Sequence, residues 1–133
     1  EYRVLKLVKA LTPGPYTFIL EGTKAMPRLV LSPKRRTAGV RIPACPICQA
    51  LLEDLDGLLV SSSAHLPSGA QPESIWELFE AWRDRIDIIV DDQGPLPEVP
   101  STVIDMTPPR FEIIREGLGL EALLPFMAAE ALE

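Results

Sequence analysis

A chain of 133 residues, 47% of them hydrophobic and 24% charged, has the balance of one globular domain that can bury a core without disulfides or a structural metal. No apolar run approaches the roughly 18 residues of a membrane span, and no signal-peptide pattern opens the chain, so the cytoplasm is the expected compartment. The net charge of −6 speaks against a protein that coats nucleic acid through phosphate contacts alone. The charge is unevenly divided. Residues 1–43 hold nine Lys/Arg against Glu1 and Glu21, a balance of +7, and residues 44–133 hold four against seventeen acids, a balance of −13. Cations are thus concentrated where an anionic ligand could use them, with a solvated basic face as the plain alternative.

Val4, Leu7, Val8 and Leu11 recur at helical spacing, so the first eleven residues read as a helix stopped by the Pro and Gly of "TPGP". "YTFILE" (16–21) reads as a buried strand. After a polar loop rich in Lys and Pro comes "RRTAGVRIP", where Val40, Arg41 and Ile42 alternate like a strand with a guanidinium at its centre. Cys48, Leu51, Leu52 and Leu55 predict a helix ending near Gly57, and "LLVS" (58–61) a short apolar strand leading into the loop "SSAHLPSGAQ". Ile75, Leu78, Phe79 and Trp82 mark a helix after Pro72; "IDIIV" (86–90) predicts another strand, closed by Asp91 and Asp92. "STVID" and "FEIIR" read as two more strands, and Leu120, Leu123, Leu124 and Met127 as a last helix that Pro125 could kink. Alternating strands and helices imply an α/β fold over residues 1–133. The sheet should be mixed, because too little chain separates the last two strands for a crossover helix.

Several side chains could carry chemistry. The small residues and hydroxyls of "SSSAHLPSG" follow an apolar strand, and the carboxyl ends of strands are where open α/β sheets bind ligands. Ser101 opens one strand and Arg115 closes the next, so hydroxyl and guanidinium could meet at neighbouring strand ends; alternatively Arg115 pairs locally with Glu112 or Glu116. Cys45 and Cys48 form a C-x-x-C at a helix start, where a thiol pKa can fall, but a zinc site lacks two further ligands. His65 is the one histidine, so no Ser/His arrangement can be identified. Asp91 and Asp92 could support magnesium on nucleotide phosphates or simply form a solvated turn. Neither GxGxxG nor GxxxxGK[ST] is present.

Taken in order, "TPGPYTFILEGTKAMPRLVLSPKRRTAGVRIP", "LLVSSSAHLPSG", "DIIVDDQGPLPEVPSTVIDMT" and "IIREGLG" resemble the YrdC/YciO family of threonylcarbamoyl-AMP synthase domains over about residues 10–119. "PGPYTFIL" and "KRRTAGVRIP" are most similar to its YciO-like branch. The resemblance implies a twisted open sheet with flanking helices and a positively charged cleft. It also implies a reaction joining L-threonine, bicarbonate and ATP, with Mg2+ accompanying the nucleotide, into threonylcarbamoyl-adenylate with release of pyrophosphate. That product serves the modification of adenosine in tRNA. Position by position, the resemblance implies ATP contacts from Thr37, Ser63 and Arg115, and threonine contacts from Arg41, Ser61 and Ser101. Arg35 and Arg36 would supply general field or an edge facing tRNA or double-stranded RNA.

The sequence departs from the family pattern in two places. His65 stands where the "SAN" motif has asparagine, and the N-terminal segment with a PTDTVYGL-like motif is not in the sequence. The chain therefore reads as the C-terminal two-thirds of the domain, expected to be inactive or weak alone, with an exposed sheet edge suited to the remaining segment, a partner or a second copy. A non-catalytic double-stranded RNA or tRNA-binding module, or a scaffold that keeps the fold without the chemistry, are the competing expectations.

Overall fold

The structure, a computed structural model, describes residues 2–130. Eight elements follow in order: α1 (Tyr2–Leu11), β1 (Tyr16–Glu21), β2 (Thr37–Val40), α2 (Pro46–Leu55), α3 (Ile75–Trp82), β3 (Thr102–Asp105), β4 (Glu112–Arg115) and α4 (Leu120–Glu130), with a single 3₁₀ turn at Arg28–Val30. The chain divides into two units, Glu1–Leu59 with Val99–Glu133, and Val60–Glu98.

The first unit holds a four-stranded sheet in the order β2-β1-β3-β4. β1 and β3 run parallel at its centre, from Tyr16↔Thr102 to Ile19↔Asp105, and β2 and β4 flank them antiparallel. The sheet is therefore mixed, as the short β3–β4 connection requires. Alternation along β1 sends Tyr16 and Phe18 to one face, where they join Ile104 of β3, Leu7 and Leu11 of α1 and Leu123 of α4 in the core. The two helices cover that face because their apolar stripes have nowhere else to go. Arg3 fixes their ends: its guanidinium donates to Glu130 Oε1 at 2.9 Å and to the Pro109 carbonyl at 2.8 Å, and it lies 5.2 Å from the Phe111 ring centre. Cation and ring reinforce each other at this half-exposed junction.

Three sequence expectations change here. The strand around Val40 begins earlier and ends sooner, at Thr37–Val40. Past Val40 the neighbouring segment offers Pro13 and Pro15, which have no N–H to donate, and only Gly14 N–H reaches across, to the Ile42 carbonyl at 2.9 Å. "LLVS" and "IDIIV" are not strands. No described segment pairs with them, and a strand exists only through pairing, so their β-branched and apolar side chains stay largely in solvent, Leu58 at 92% and Ile88 at 79%. The last helix is present as expected: α4 contains Pro125 and runs to Glu130.

In the second unit, α3 is capped by Ser74, whose Oγ accepts the Glu77 N–H at 3.1 Å, while Glu77 Oε2 accepts the Glu73 N–H at 2.8 Å. The reciprocal pair satisfies donors that a helix start leaves unmet. Its apolar side, with Ile75, Phe79 and Trp82, lines a cavity of about 780 Å³ that also includes Ser63, His65 and Ile89.

Leu123 has no exposure, so Leu123→Ala should cost about 2–5 kcal/mol. Urea unfolding monitored by circular dichroism checks this, and an unchanged midpoint would contradict the placement of α4 in the core.

Candidate functional site

Because the outer strands run against the inner ones, β2 and β4 end where β1 and β3 begin. That end of the sheet gathers Thr17 near the start of β1, Arg41 just past β2, Ser101 just before β3 and Arg115 closing β4. Ser101 is buried at 6% exposure and forms a bridge to Leu118. Arg115 wraps it: Nε and Nη2 donate to the Ser101 carbonyl at 3.0 and 2.9 Å, and Nη2 also donates to Ser101 Oγ at 3.1 Å. The local alternatives, Glu112 and Glu116, do not capture the guanidinium. Its Nη1 has no partner among the described residues, so one side of a delocalised, permanently charged group is left available.

The backbone that carries Ser101 is held tightly. Thr102 Oγ1 donates to the Leu118 carbonyl at 2.7 Å and accepts the Gly117 N–H at 3.1 Å, and Leu118 N–H donates to the Pro100 carbonyl at 2.8 Å. Gly117 is required for this approach, since a Cβ there would collide with the Pro100 carbonyl and the Ser101 backbone.

Thr17 is the residue that reading "YTFILE" as a buried strand passes over. Its Oγ1 is 3.1 Å from Ser101 Oγ, on the sheet face opposite the Tyr16 and Phe18 core. Period-two alternation could have found it: a hydroxyl between two buried aromatics must point away from their side.

Arg41 is exposed and makes no hydrogen bond or ion pair among the described residues; its field is felt at the Cys48 thiol. Thr37 begins β2 and is buried, so it stands at the far end of the sheet from Arg41, roughly 13 Å along the strand. Ser61 and Ser63 belong to the second unit, both exposed, on an irregular segment that does not follow a strand. Ser63 borders that unit's cavity; the His65 carbonyl nearby accepts the Trp82 Nε1–H at 2.8 Å, and His65 Nδ1 lies 3.2 Å from Gln71 Nε2. The structure thus gathers Arg41, Ser101 and Arg115 at one sheet end, leaves Thr37 at the other, and carries the two loop serines on a separate unit.

Other candidates acquire structural roles. Arg35 Nη2 donates to Asp105 Oδ2 at 2.8 Å and to Thr107 Oγ1 at 3.0 Å, tying the turn before β2 to the end of β3. Arg36, at φ 53°, completes that turn: its N–H donates to the Ser32 carbonyl and its carbonyl accepts the Gly22 N–H. Burial acts to raise the Asp105 carboxyl, but the Thr107 O–H and N–H and the Arg35 guanidinium together outweigh it and hold the group below its ordinary 3.8. Asp91 and Asp92 accept the N–H groups of Gln93 and Gly94 at 2.7 and 2.9 Å, the geometry of a solvated turn. Among the described residues no three acidic, His or Cys side chains group to hold a metal. The Cys48 thiol is pushed up, first by its hydrogen bond with Cys45 and then by burial and the Cys45 charge, with Arg41 opposing; a helix start has not activated it.

One end of this mixed α/β sheet thus carries an anchored guanidinium, a second, exposed guanidinium and two hydroxyls. The chain belongs to the Sua5/YciO/YrdC family: that family's model, described as "Telomere recombination", matches residues 1–117. It is 44% identical over 118 residues to "Uncharacterized protein YciO" of Escherichia coli K12, covering 86% of this chain and 55% of that one. It is 32% identical to the human "Threonylcarbamoyl-AMP synthase" over 123 residues, 87% of this chain and 43% of that one. The crystal structure of E. coli YciO superposes with a TM-score of 0.83 at 42% identity, covering 95% of this chain and 60% of that one. That of P. abyssi Sua5 complexed with L-threonine gives 0.78 at 30% identity, covering 95% and 37%. The chain thus spans about half the length of the curated relatives it matches.

A carboxyl whose folded value lies below its unfolded one contributes stability that is complete above the unfolded value and is lost as pH falls through the folded one. Wild type should therefore lose stability below about pH 4 more steeply than Asp105→Asn, which should be weaker by about 2 kcal/mol at neutral pH. Urea midpoints across that range decide; parallel pH curves would show that Asp105 carries no such linkage.

Proposed function

We propose that this chain supplies part of an ATP-dependent threonylcarbamoyl-adenylate synthase site, acting on L-threonine, bicarbonate and ATP. The observation that carries the proposal is the Arg115 guanidinium locked on Ser101 with its Nη1 edge open, at the same sheet end as Arg41. The similarity to a Sua5 structure complexed with L-threonine supports it.

The chemistry suits such a site. Threonine's amine takes up bicarbonate as a carbamate with loss of water, a carbamate oxygen attacks the α-phosphorus of ATP, and the bond to pyrophosphate breaks. No side-chain nucleophile is needed. The difficulty is to bring two anions together, so positioning and charge neutralisation dominate. In this reading Arg41 pairs with the amino-acid carboxylate, Ser101 donates to the threonine part, and Arg115 faces the nucleotide. Magnesium belongs to the substrate, carried on the triphosphate; Asp91 and Asp92 are engaged in turns and Asp105 in an ion pair. The adenylate formed would pass its threonylcarbamoyl group to tRNA adenosine.

Pyrophosphate release, measured on the full-length protein, tests the proposal. It should require L-threonine and bicarbonate together, and Arg41→Ala and Arg115→Ala should each lower it by about two orders of magnitude. Release that ignores threonine, or survives both substitutions, would overturn it. Affinity for structured RNA that falls steeply with salt, without any threonine requirement, would favour an RNA-binding module instead.

A further inference from the structure

The hydrogen bonds around Ser101 contain a constraint on direction. A guanidinium only donates, so at 3.1 Å from Arg115 Nη2 the Ser101 oxygen must accept. A hydroxyl oxygen has two acceptor positions and one hydrogen, which leaves one lone pair and one O–H. Thr17 Oγ1, also 3.1 Å away, meets one of them. If Ser101 donated to Thr17, the one proton at this buried position would be spent inside the protein. If Thr17 donates, Ser101 Oγ accepts twice and its O–H is left free for a further acceptor. Two donors on one oxygen also polarise the O–H they leave behind, making it a better donor to an anion.

Thr17 is built to hold its hydroxyl oxygen beside Ser101. It is β-branched, hence stiff at χ1, and it lies in β1 next to the core aromatics. Diagonally across the ladder, Gly39, which pairs with Ile19, has no side chain; a Cβ there would come within 3.2 Å of Thr17 Cγ2. The bare glycine leaves the threonine methyl in its place.

We propose that Thr17 is a positioning residue: by donating to Ser101 Oγ, together with Arg115, it turns the Ser101 O–H outward as a donor to a ligand carboxylate. The inference rests on the reading of this sheet end as an amino-acid site, and it adds a residue that acts on the ligand only through Ser101.

Calorimetric titration with L-threonine, using the full chain and Thr17→Val, Thr17→Ser, Ser101→Ala and the Thr17→Val/Ser101→Ala double variant, tests it. Thr17→Val keeps shape and removes the donor, so affinity should fall about tenfold. Thr17→Ser should restore it to within about twofold, and the double variant should bind no worse than Ser101→Ala alone. A packing role for Thr17 predicts the reverse: no rescue by serine and a further loss on the Ser101→Ala background. Wild-type affinity in Thr17→Val, or additive losses in the double variant, overturns the proposal while leaving the amino-acid site intact. No heat of L-threonine binding to the unmodified chain overturns the site reading, and this inference with it.

Discussion

The parallel pairing of β1 with β3 is the constraint on which the rest depends. It joins Tyr16 to Thr102 across 86 residues, and once made it leaves the flanking strands little choice. β2 returns antiparallel to β1 after the loop over residues 22–36, and β4 returns antiparallel to β3 through a short connection. The starts of the inner strands and the ends of the outer ones therefore share one edge of the sheet. The aromatic residues of β1 then face the helices, and the hydroxyl between them faces the other way.

The same constraint distributes charge. Of the basic residues in the first third of the chain, Arg3 is spent fastening α1 to α4 and Arg35 fastening the turn before β2 to Asp105. Arg41 escapes such use because it lies past the last paired residue of β2. An exposed guanidinium on a surface pays little desolvation and is screened by water and salt, and Arg115, on the opposite edge strand of the same sheet end, lies three strand spacings from it. Arg115 illustrates the opposite strategy. Two donors on the Ser101 carbonyl fix the plane of the group, so its remaining edge is presented without the entropy loss of ordering a long side chain when a ligand arrives.

Much of this was legible in residue order. The apolar run "YTFILE", helical spacing in the first eleven residues and the short interval between "STVID" and "FEIIR" were enough for much of the first unit and for the mixed sheet. "LLVS" and "IDIIV" show where such reasoning stops. Both have the composition of strands, yet strand formation needs a partner's N–H and C=O groups, and no property of the segment itself reveals whether one is present. The candidate acids behave similarly: Asp91 and Asp92 become turn acceptors because of the N–H groups two residues on, a local fact, whereas Asp105 becomes an ion-pair partner of a residue 70 positions away.

The sequence by itself determined the identity of the family, the α/β class and the residue types available for an anion, because these follow from motif order and local periodicity. Only the tertiary structure decided which of those residues meet. Arg115 closes on Ser101 and Thr17 touches Ser101 because a long-range parallel register lays strands distant in the chain side by side, and hydrogen-bond direction is settled by three-dimensional neighbours rather than by spacing along the chain.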